Sequence, residues 1–71
     1  MARTIDARGL SCPQPVILVR KAIEEGEFPI EVLVETVTSL ENVRRAAEKA
    51  NLRVDVQERE DDFRLVIERP S

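Results

Sequence analysis

The chain contains no histidine, no tryptophan and no tyrosine, and it holds only two phenylalanines and one cysteine. Without imidazole, Ser–His–Asp triads, Cys–His dyads and His-ligated metal centres all lack a member. Aromatic residues at 3% leave little surface for stacking nucleic-acid bases. One thiol cannot close an internal disulfide and is too few for a zinc or iron–sulfur site of cysteine type. It fits a reducing compartment, so the expected location is cytoplasmic. No apolar run approaches the about 20 residues of a membrane span. The opening Met-Ala-Arg-Thr-Ile-Asp also lacks the apolar core of a secretory signal. No cofactor, no metal and no membrane partner are expected.

What is present describes a folded domain: 42% hydrophobic and 35% charged residues in a chain of 71. Such a length predicts one domain, residues 1–71, and a core that buries only about 60% of the unfolded surface, so the chemistry is expected at the surface. The net charge of −3 is unevenly spread. Arg3, Arg8, Arg20 and Lys21 face Asp6 alone in the first third, whereas Glu58, Glu60, Asp61 and Asp62 surround Arg59 later. An acidic whole argues against general nucleic-acid binding, and the basic surround of the only thiol permits local stabilisation of an anion.

Punctuation along the chain places the elements. Arg3 to Ala7 reads as a short strand anchored by Ile5, and Arg8-Gly9 reads as a turn for which glycine supplies the backbone freedom. A helix is expected from near Cys12, with Pro13 at its first position and Gly26 just past its end. At 100° per residue, Val16, Leu18, Val19, Ala22 and Ile23 share one face, opposite Arg20, Lys21, Glu24 and Glu25. Ile17 falls on the charged side with Pro13 and Gln14, as a lone surface residue or a docking contact for a partner. Ile30 to Thr36 alternates as a strand covered on one side. Thr38-Ser-Leu-Glu41 reads as a capping box for a second helix with a Leu40, Val43, Ala46, Ala47, Ala50 stripe, closed by Asn51 in the left-handed conformation. Leu52, Val54 and Val56, then Phe63, Leu65 and Ile67, alternate as two strands joined across the acidic tract. Leu33 and Val66 would leave a small apolar spot on the bare face. The order βαβαββ with right-handed crossovers predicts an α+β two-layer sandwich: a mixed four-stranded sheet with both helices on one face.

The segment with chemical character is Gly9-Leu10-Ser11-Cys12-Pro13-Gln14-Pro15. A cysteine delivered to a helix N-terminus meets unpaired N–H groups and the positive end of the helix dipole, which lower a thiol pKa from about 8.5 into a range of about 3.5–7.5. Arg8 is a candidate for an added electrostatic effect. If Cys12 caps the helix, Pro15 offers no N–H and Gln14 is the main donor, so the thiolate is held only in part while the two proline rings stiffen the turn. The competing account is a small buried hydrophobe at a turn.

Through Asp6-Ala-Arg-Gly-Leu-Ser-Cys-Pro-Gln-Pro-Val16 the sequence resembles the TusA/SirA/YedF-like family of small sulfur carriers, over essentially its whole length. Glu41-Asn-Val-Arg-Arg45 is similar to the YedF-like branch, although Val34-Glu35-Thr36-Val37 lacks that branch's Asp-Asn-Pro character. The resemblance implies a βαβαββ sandwich. It also implies that Cys12 accepts persulfide sulfur from a cysteine desulfurase or related donor and passes it to an acceptor protein, as in tRNA thiolation or sulfur and selenium metabolism. Under the same resemblance a DsrE-like protein is a candidate acceptor. Sulfurtransferase chemistry of this kind needs no histidine base, because displacement at sulfur by a thiolate suffices. In this reading Cys12 is the carrier, Gly9, Pro13, Gln14 and Pro15 shape the turn, and Arg8, Ile17 and Arg20 are electrostatic or partner contacts. Two other classes compete: a regulatory adaptor that binds a protein through Pro13, Gln14, Ile17 and Arg20, and an RNA-binding domain, which the acidic balance and the scarcity of aromatics disfavour.

Overall fold

The computed structural model describes residues 3–10, 14–26 and 28–70 of the chain. The order is β1 (Arg3–Asp6), α1 (Gln14–Glu25), β2 (Ile30–Val34), α2 (Val37–Lys49), β3 (Arg53–Glu58) and β4 (Phe63–Glu68). The strands form one mixed sheet in the order β1-β2-β4-β3, with β1 parallel to β2 and β4 antiparallel to both of its neighbours. The expected two-layer α+β sandwich is therefore present.

The alternation in β2 does what period-2 patterning requires. Ile30, Val32 and Val34 are completely buried, and they stand opposite Ile67, Leu65 and Phe63 of β4. Val19 and Ala22 of α1 and Leu40, Val43 and Ala47 of α2 close over this face. Burying each Ile, Leu or Val side chain among these contributes about 1.5–3 kcal/mol before chain entropy is set against it. On the bare face Leu33 and Val66 are half-buried, and Arg64 crosses to Glu31 with Nε–Oε1 at 2.8 Å and Nη2–Oε2 at 2.9 Å. The expected apolar spot is thus flanked by an ion pair, which lowers the pKa of Glu31 and raises that of Arg64.

Four local expectations need correction. β1 ends at Asp6 rather than Ala7, although the Ala7 N–H still donates to Leu33 O at 2.9 Å. β2 ends at Val34, not Thr36, because Thr36 already serves α2. Its extended backbone (φ −117°, ψ 154°) and its Oγ1, which accepts from Ser39 N at 3.1 Å, make Thr36 the N-cap, so the capping box at Thr38 and Glu41 is not formed. Val56, expected inside, is 42% exposed on the edge strand β3, whereas Val54 of the same strand is half-buried against the core.

Both helix ends follow their sequence signals. Gly26 adopts φ 71° after α1. Asn51 adopts φ 62° after α2, with Asn51 N donating to Glu48 O and Leu52 N to Ala47 O, the paired bonds of a Schellman closure. Ala50, placed on the α2 stripe, is exposed at that end, and Ala46 is half-buried.

The cap assignment is tested by substitution. Thr36→Ala is expected to cost about 1 kcal/mol in urea unfolding, and Thr38→Ala only a few tenths, because Thr38 lies inside the first turn. The reverse order would restore the capping box.

Candidate functional site

Strand direction brings the interesting parts of the chain to one end of the sheet. β1 and β2 are parallel and each feeds a helix, so α1 and α2 both begin beyond the same strand ends. β3 runs in the direction of β2, since β4 is antiparallel to both, and the β3–β4 turn therefore lies at that end as well. The β1–α1 connection, the N-terminus of α2 and residues 59–62 converge there.

The connection begins with a tight turn. Leu10 N donates to Ala7 O at 3.3 Å, and Gly9 occupies the third position of the turn with φ 79°. A Cβ at Gly9 would meet no atom within 4 Å, so the glycine is required by backbone conformation and not by crowding. Ser11, Cys12 and Pro13 lie outside the described residues, and so do the placement of Cys12 as N-cap and of Pro13 as first helical residue. The described part of α1 begins at Gln14, whose side chain is exposed, followed by buried Pro15. Pro15 therefore anchors the start of the helix in the core, beyond the turn-stiffening role expected of it. The first turn of α1 carries no acidic residue, which leaves the positive end of its dipole without an internal counter-charge.

Arg8 is engaged on two sides. Its Nε and Nη2 grip Asp6 Oδ1 and Oδ2 at 2.9 and 2.8 Å, its backbone N–H donates to Asp6 Oδ1 at 3.1 Å, and its Nη1 lies 3.3 Å from Asp62 Oδ2. The fork on Asp6 holds that carboxyl down from 3.8 to about 2 and raises the arginine pKa. The positive charge of Arg8 is thus shared with two carboxylates. Asp62 is the buried charged residue of the described chain, with a side chain only 5% exposed, and its Oδ1 forms an ion pair with Arg59 Nε at 3.0 Å. Arg8, Arg59, Glu60, Asp61 and Asp62 line an open hollow of about 340 Å³. A second hollow, of about 400 Å³ and lined by Arg20, Glu24 and Lys49 among others, lies between the helices toward their C-terminal halves, away from this end.

Ile17 is 51% exposed, and Arg20 is exposed further along α1. Leu10 and Val37 are also exposed large apolar residues, on the β1–α1 connection and at the start of α2. Sequence reasoning did not single out Asp6 or Asp62. The Asp6-x-Arg8 spacing is a readable signal for the first. Nothing near Asp62 in the chain distinguishes it from the solvated acids beside it.

Residues 3–69 match the family described as sulfurtransferase TusA. The chain belongs to the TusA family. A relative from Methanocaldococcus jannaschii, named "putative sulfur carrier protein", is 38% identical over 94% of this chain and 93% of its own. The crystal structure of a SirA-like protein from Desulfitobacterium hafniense superposes with a TM-score of 0.85 at 31% identity, covering 93% of this chain and 95% of that one. The two-layer α+β sandwich reached from periodicity is therefore the fold of a solved SirA-like protein.

The Asp6–Arg8 pair sets a pH test. The lowered pKa means that Asp6 contributes stability fully above 3.8 and loses it as pH falls toward about 2. Urea midpoints of wild type and Asp6→Asn are expected to differ at neutral pH and to converge near pH 2. A gap that persists unchanged to pH 2 would remove the ion pair as its source.

Proposed function

We propose that this TusA-family chain is a sulfur carrier in which Cys12 holds the transferred sulfur as a persulfide. The supporting observation is the coincidence of the family match with the place of the only cysteine, two residues ahead of the described start of α1, whose first turn has no carboxylate of its own. A thiolate near such a helix end is favoured over its thiol.

The chemistry balances without a base or redox partner. The Cys12 thiolate attacks the outer sulfur of a donor persulfide, the donor S–S bond breaks, and the donor leaves as a thiolate. An acceptor nucleophile then attacks the outer sulfur on Cys12, and the Cys12 thiolate is released. Donor and acceptor are proteins in this reading: a cysteine desulfurase or related enzyme on one side, and an acceptor such as a DsrE-like protein on the other. Gly9 and the Pro13, Gln14, Pro15 segment shape the connection, Arg8 fixes its first turn, and the exposed Ile17 and Arg20 offer partner contacts. One domain over residues 1–71, a reducing cytoplasm, a YedF-like affiliation and sulfurtransferase activity belong to the same proposal. Among the described residues no helix is long and apolar enough to cross a membrane.

The exposure of Leu10, Ile17 and Val37 also supports a second reading, a regulatory adaptor that binds a protein at this end and leaves the cysteine idle. One experiment separates the two. Incubation with a cysteine desulfurase and cysteine is expected to add the mass of one or more sulfur atoms to the intact protein, and Cys12→Ser to abolish the gain with little change in thermal unfolding. No gain with any donor favours the adaptor.

A further inference from the structure

A hairpin turn is a place where carboxylates normally stay in water, and Glu60 and Asp61 do so. Asp62 does not. Its side chain is 5% exposed, and withdrawing a carboxylate from solvent is costly unless cations replace part of the lost hydration. One of those cations, Arg59, belongs to the same turn, whose ends close through Arg59 N donating to Asp62 O at 2.9 Å. The other, Arg8, lies 54 residues away on the β1–α1 connection.

We propose that Asp62 is a positioning residue for the connection that carries Cys12, acting through Arg8; the functional part of this statement rests on Cys12 being the sulfur-bearing residue. Arg8 is the second residue of the Ala7–Leu10 turn, and Leu10 precedes Cys12 by two positions. The planar guanidinium is oriented by its two-point grip on Asp6, which belongs to β1 and moves with the sheet. Its remaining contact, Nη1 to Asp62 Oδ2, ties the turn to the start of β4 beyond the end of the intervening β2. The entry to the Cys12 segment is then held by the sheet through Ala7 and by the hairpin through Arg8, while the exit is held by buried Pro15. Asp6, Arg8, Asp62 and Arg59 alternate in sign, so the tie is made without adding net charge beside the connection.

Amide hydrogen exchange on the full chain, together with sulfur loading by a cysteine desulfurase, tests this. Asp62→Asn, which keeps the side-chain shape, and Arg8→Gln are each expected to speed exchange across residues 8–14 by tenfold or more and to leave α2 at its wild-type rate. Both are expected to slow loading tenfold or more, and the double variant to be no worse than either single one. A purely structural role would instead raise exchange in α2 in the same proportion. Unchanged exchange over residues 8–14, a proportional rise throughout the chain, or wild-type loading rates in both variants would overturn the proposal. Should Asp62→Asn fail to fold, Arg8→Gln carries the same comparison on a half-exposed side chain. Wild-type protein that takes up no sulfur overturns the carrier reading, and the exchange comparison still decides whether Asp62 holds the turn.

Discussion

Strand β2 is the constraint on which the rest of this structure depends. It lies between a parallel and an antiparallel neighbour, and the side chains of Ile30, Val32 and Val34 are removed from water entirely beneath both helices. A one-residue slip in its register would bring Glu31 and Leu33 to the inner face and leave a charge without water or partner. Because β1 must pair parallel to it, a helix must cross between the two. Because β4 pairs antiparallel on the other side, the last two strands can form a hairpin. Topology follows from that one buried strand.

The same directional rule gathers the functional end. Two helix N-termini and one hairpin turn meet where β1 and β2 finish, and the cysteine-bearing connection starts from the same place. Positive ends of helix dipoles, Arg8 and Arg59 are set there against Asp6, Asp62 and the exposed acids of the turn. On the proposed carrier role of Cys12, such an arrangement would favour an anionic sulfur without surrounding it with unpaired cations, which suits a group that must be gained and released. The exposed apolar residues Leu10, Ile17 and Val37 border this end, where a protein partner would have to approach.

Much of this could be read along the chain, and the failures are local and physical. Alternation found β2 and β4, the helical stripe found Val19, Ala22, Leu40, Val43 and Ala47, and Gly9, Gly26 and Asn51 marked the positive-φ positions. The cap of α2 was misplaced because Thr36-Val-Thr-Ser competes with Thr38-Ser-Leu-Glu for the same role, and only the backbone geometry decides which threonine lies outside the helix. Val56 carries the same apolar alternation as Val32, yet an edge strand receives less cover than a central one. Asp62 looked like its neighbours because burial of a turn residue depends on what another part of the chain brings to it.

Sequence alone determined the element order, most of the inward faces, the family signature and the presence of a single cysteine, because periodicity, turn chemistry and residue identity are properties of neighbours along the chain. Tertiary structure decided that Arg8 would stand between Asp6 and Asp62, that Pro15 would sink into the core, and that one acid of a charged turn would be buried. Those outcomes depend on strand direction and order in the sheet, which bring together residues that share no local pattern.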